Sequence, residues 1–138
     1  MRSIRTEIAF MSFNEEESLL HIEITAGAEM TLENTSRHYR VIHELTSGKP
    51  YIALVNAANY FMIDPDALKY GALQNTIANR VASAHYNSNV ANVLTVSFFK
   101  NNHKPGIPVG IFKTKEEALE WITTLKKEGI FNLSKELI

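Results

Sequence analysis

Apolar and polar positions change their period several times along the chain, and each change predicts an element. Ile4 to Phe13 is rich in β-branched and aromatic residues, Asn14-Glu-Glu-Glu-Ser18 is a polar turn, and Leu20, Ile22 and Ile24 then alternate with Leu19, His21 and Glu23. This predicts a hairpin with one wetter face. Thr31 is placed to cap a helix over about 32 to 46, with Glu33 in its first turn, Tyr39, Ile42 and Leu45 at helical spacing, and Gly48 just past its end. Tyr51 to Val55, YIALV, is apolar at every position, as expected of a central strand covered on both faces.

The second half repeats the alternation. A short helix is predicted from Pro65 to about Leu73, a strand over Arg80 to Tyr86, and a helix after Asn89 with Val90, Val93, Leu94 and Phe98 on one stripe. The turn-rich NNHKPGIP leads to a strand at Val109 to Phe112. In Thr114-Lys-Glu-Glu117 the threonine hydroxyl can meet the Glu117 amide while the Glu117 carboxylate reaches back. Ala118, Trp121, Ile122 and Leu125 follow as a buried stripe, and Gly129 stops the helix. The order ββαβαβαβα implies an α/β fold with a mixed sheet of about five strands and helices packed on it.

Composition narrows the function classes. The 138 residues suit one domain over 1–138, with enough buried surface for a core without staples. A formal net charge of −1 argues against a domain that neutralises many nucleic-acid phosphates. The absence of cysteine excludes disulfides, thiol nucleophiles and thiolate metal sites, and fits a cytoplasmic protein. No export signal is predicted, and no run of about eighteen apolar residues is present to form a transmembrane segment.

The stretch NYFMIDPDAL carries a resemblance. With an apolar strand before it and Asp64-Pro65-Asp66-Ala67-Leu68 opening a helix, it resembles the signature loop of anti-sigma-factor antagonist (STAS) domains, matching at Asp64 and Leu68. The chain is similar also to small STAS-like proteins grouped with the CRAL-TRIO lipid-transfer fold, through Phe112, Ala118 and Trp121 near its end. The resemblance implies a non-catalytic regulatory or protein-interaction domain, alone or as a homodimer. Its phosphoacceptor serine is replaced by Asp66, whose single fixed charge no serine kinase can alter. The CRAL-TRIO likeness implies an alternative, a carrier of lipid or a small apolar ligand, which would need a cavity of roughly 300 Å³ or more.

Each candidate residue has a second, structural reading. Asp64 as cap, Pro65 at the first helical position and Asp66 in the first turn are what helix formation alone selects; as a partner-docking surface they would act with Tyr60 and Phe61. Lys100 and Lys104 could hold an anion, or simply solvate a loop near a helix end, and no phosphate-binding glycine motif accompanies them. The five histidines lack metal-site spacing, so no metal and no cofactor is expected. His85, near Ser83 and Tyr86, is the histidine to inspect, although no catalytic constellation is legible and no enzyme is expected.

Overall fold

The computed structural model describes residues 2–59, 61–70, 79–87 and 107–131. It is an α/β structure built on a six-stranded mixed sheet in the order β1-β2-β3-β5-β7-β8. The strands are β1 (Arg2–Arg5), β2 (Ala9–Asn14), β3 (Leu19–Ile24), β5 (Tyr51–Asn56), β7 (Arg80–Tyr86) and β8 (Val109–Ile111). The first two pairings are antiparallel and the remaining three parallel. A separate two-stranded parallel ribbon joins β4 (Glu29–Met30) to β6 (Met62–Ile63).

YIALV occupies the interior position that its composition predicts. β5 lies between two parallel neighbours and its first five residues are buried. Its side chains divide by parity. Tyr51, Ala53 and Val55 face a core shared with Met11, Ile22 and helix α1 (Leu32–Thr46), whereas Ile52 and Leu54 face a second core shared with Ala82, Ala84 and helix α3 (Lys115–Lys127). Helices therefore cover the sheet on both sides. A further helix, α2, is described over residues 65–70.

The strand count differs from the expected five because Ile4 to Phe13 is two strands. The Thr6 hydroxyl accepts from the amides of Ile8 and Ala9, and the Thr6 amide bonds the Ala9 carbonyl, which turns the chain back on itself. The predicted helix after Asn89 lies outside the described residues.

Capping explains the helix boundaries. Thr31 caps α1, accepting from the Asn34 amide at 3.2 Å, while the Asn34 side chain accepts from the Thr31 amide at 2.8 Å and donates to the Glu29 carbonyl at 2.7 Å. Ser47 and Gly48 close the helix in the left-handed region. At α3 only the forward half of the anticipated box forms, with the Glu117 amide donating to Thr114 Oγ1. Beneath α3, Gly110 admits the Phe112 ring, which an added Cβ would meet at 2.6 Å.

Asn34 thus knits the β4 ribbon to α1 as well as capping it. Thr31→Ala is expected to cost about 1 kcal/mol as an ordinary cap loss. Asn34→Ala should cost more, about 2–3 kcal/mol, because it leaves a Glu29 carbonyl and a Thr31 amide without partners. Urea denaturation of the two variants checks that order.

Candidate functional site

Under α1 the sheet does not close completely. A cavity of about 140 Å³ lies between α1, the face of β3, β5 and β7, and the segment from Phe61 to Leu68. Its walls are mostly apolar: Ile22 and Ile24 from β3, Val55 from β5, and Phe61, Ile63 and Ala67 from the loop and α2. Its polar members are Thr35, His38 and Tyr39 of α1 together with Arg80, Ser83 and His85 of β7. Thr35, His38 and Tyr39 share the stripe that continues to Ile42, since residues three and four apart on a helix lie one above another.

Strict alternation along β7 would put Arg80 on the opposite side of the sheet from Ser83 and His85. A register shift between Tyr51 and Ile52 removes the conflict: Tyr51 pairs with Arg80 but Ile52 pairs with Ala82, so one residue is skipped and Arg80 joins the face of Tyr51, Ala53 and Val55. Asn79 prepares the entry into the strand. It adopts the left-handed region that asparagine tolerates, and its side chain donates to the Gly48 carbonyl at 2.9 Å.

Arg80 is only 8% exposed. Its guanidinium carbon lies 5.5 Å from the Tyr39 ring centre and 5.6 Å from that of Tyr51, and its Nε donates to the Tyr51 hydroxyl at 3.3 Å. Of the chain's 15 Asp and Glu residues, all but Glu136 are described, and none of those forms an ion pair with Arg80. Two more polar atoms are buried on the same cavity without hydrogen-bond partners among the described residues, Thr35 Oγ1 and His38 Nδ1.

Burial governs the titration of both histidines. Desolvation, followed by the nearby Arg80 charge, holds His38 down to about 3 and His85 down to about 4. Both rings are neutral at pH 7. The Ser83 hydroxyl lies 3.0 Å from His85 Nε2, which pairs the two residues within β7, and no carboxylate among the described residues bonds that ring. A histidine so hard to protonate is a poor general base near neutrality. On the opposite face, His21 Nε2 lies 2.6 Å from the Tyr86 hydroxyl, and burial lowers the His21 pKa as well.

The candidates from the DPD stretch separate. Asp64 is the cap of α2, its Oδ1 accepting from the Ala67 amide at 2.9 Å, and its own amide ties back to the Met30 carbonyl at 3.0 Å. Asp66 is exposed. Phe61 is half-buried and packs inward against the core, lining the cavity. Tyr60, Lys100 and Lys104 lie outside the described residues, as does Phe98. Arg80, Thr35 and His38 escaped sequence reasoning as a group; the available signal was a lone arginine opening a strand whose next two residues, Val81 and Ala82, are apolar.

A family model matches residues 13–126, with the description Domain of unknown function (DUF7793). The chain belongs to this family. No curated protein and no solved structure matches it. The DUF7793 span runs from β2 to α3 and includes every polar residue of the cavity. No helix among the described residues of this DUF7793 protein is long and apolar enough to cross a membrane.

The buried histidines make stability pH-dependent. An unfolded chain binds a proton at His38 near its ordinary value of 6.5, whereas the folded chain refuses it until about 3, so acidification between those values favours unfolding. Stability is expected to be fully present above pH 6.5 and to fall by about 2 kcal/mol from His38 between pH 7 and pH 5. His85 should add a further loss of the same sign. Urea denaturation at pH 7, 6 and 5 checks this, and His38→Gln should show a shallower slope than the native chain.

Proposed function

We propose that the domain is a non-catalytic regulatory module that binds a small ligand in the cavity under α1. The observation that carries this reading is the cavity itself: about 140 Å³ walled by apolar side chains, with three deeply buried polar residues, Thr35, His38 and Arg80, turned to one space. A packed core leaves few voids larger than a water molecule, and a cavity near this size in an apolar setting is known to accommodate a ring the size of benzene. The volume is below that expected for a lipid carrier, so it supports a ligand of roughly six to nine non-hydrogen atoms rather than an acyl chain.

The STAS-like resemblance supports the regulatory half of the reading. The continuous apolar strand feeding a loop and an aspartate-capped helix are present as the likeness requires, although Asp66 stands where the phosphoacceptor serine would be. The segment that walls the cavity with Phe61, Ile63 and Ala67 turns Met62, 58% exposed, and Asp66 outward. Partner docking on that outer side and ligand binding on its inner side would share one stretch of chain. A protein partner, or a second copy of the chain, would then sense occupancy through the position of this segment.

The reading is tested by filling the cavity. Ala67 is fully buried on its wall, so Ala67→Leu should occupy part of the space while keeping a good helix former in α2. In a panel of neutral and anionic ring fragments, some members should raise the melting temperature of the native chain saturably, by several degrees. The same members should have no effect on Ala67→Leu. Fragments that act equally on both proteins, or a panel without one saturable binder, would rule out the cavity as a ligand site.

A further inference from the structure

Three side chains on the cavity are each more than nine-tenths buried: Arg80 at 8% exposure, His38 at 6% and Thr35 at 4%. Arg80 carries a charge that cannot be shed, and five N–H donors, of which one is bonded among the described residues, to Tyr51. Thr35 Oγ1 and His38 Nδ1 have no partner among the described residues. Removing an ion from water is costly even after relaxation, and an aromatic face under a desolvated cation recovers only part of that cost. The two tyrosine rings therefore offset only part of the cost of burying Arg80. An anion in the cavity would supply the rest.

We propose that the cavity takes a small organic monocarboxylate, its carboxylate held by the Arg80 guanidinium with the Thr35 hydroxyl and His38 as further donors, and its apolar body against Ile22, Ile24 and Val55. The inference rests on the ligand-pocket reading above and adds the charge and chemical class of the ligand. A carboxylate matches the planar fork of a guanidinium and leaves oxygen lone pairs for two more donors. His38 serves as a neutral donor through Nδ1–H, because burial keeps its ring uncharged at pH 7. The polar groups of the cavity thus sum to one positive charge, which a monoanion balances and a phosphate dianion would overshoot. The apolar walls argue for an organic body, since a bare inorganic ion would leave them without a partner.

Isothermal titration with benzoate, benzamide and inorganic phosphate tests this, using the native chain, Arg80→Met and Thr35→Val. Benzoate and benzamide share size and shape but differ in charge. The native chain is expected to bind benzoate about tenfold or more tightly than benzamide and to show no binding of phosphate. Arg80→Met should lose that preference, and Thr35→Val, which keeps the shape of the side chain, should weaken benzoate several-fold more than benzamide. Equal binding of benzoate and benzamide to the native chain would overturn the anionic ligand while leaving the pocket intact. Phosphate binding as tight as benzoate would overturn the organic body. Failure of both ring compounds to bind would remove the inference and, with the panel result above, the pocket as well. Should Arg80→Met not fold, the three titrations of the native chain and Thr35→Val still decide the outcome.

Discussion

A positive charge lies beneath the sheet in an environment that would ordinarily exclude it, and the surroundings of the cavity are organised around holding it there. Arg80 is delivered by the irregular register between β5 and β7, clasped between the rings of Tyr39 and Tyr51, and positioned by Asn79 at the mouth of its strand. The consequences spread outward. Burial, and after it the Arg80 charge, holds His38 and His85 neutral, and all three residues line the cavity. Burying a charge that no carboxylate among the described residues pairs opposes folding, and in the reading proposed above a bound carboxylate would offset that cost.

The scaffold tolerates that cost because the rest of the sheet is conventional and strongly apolar. β5 contributes to two cores at once, through Tyr51, Ala53 and Val55 on one side and Ile52 and Leu54 on the other. Small residues at Ala82 and Ala84 let α3 pack closely on its face of the sheet. The 61–70 segment is held less deeply. It is tied by the β4–β6 ribbon, by the Asp64 cap and by the bond from the Asp64 amide to Met30, and it presents an apolar inner side and a polar outer side. With Phe61, Ile63, Ala67 and Leu68 on its inner side, this segment forms one wall of the cavity.

Much of the fold was legible in the chain. Leu20, Ile22 and Ile24 were readable as the inner face of β3, Thr31 as the cap of α1, and YIALV as an interior strand, because each rests on a local pattern with a single physical meaning. The turn at Thr6 was missed, since a threonine among β-branched neighbours looks like strand until its hydroxyl is seen to accept two amides. Phe61 carried two readings, partner contact and core packing, because an aromatic beside a turn is ambiguous between surface and core; it packs half-buried against the core. The Ser83 and His85 pairing was partly legible from their spacing of two along a strand.

Periodicity, caps and the all-apolar strand, properties of neighbouring residues, were determined by the sequence itself, and with them the α/β class and the place of β5 within it. The cavity was decided only by tertiary structure. The Thr35–His38 turn of α1, Phe61 and Arg80 lie far apart in the chain, and nothing local brings these three places together. Their meeting depends on a one-residue slip between two parallel strands, which reverses the side of the sheet that Arg80 faces. Register is a property of the pairing of two strands and not of either alone, so no reading of the β7 segment by itself could have placed that charge under α1.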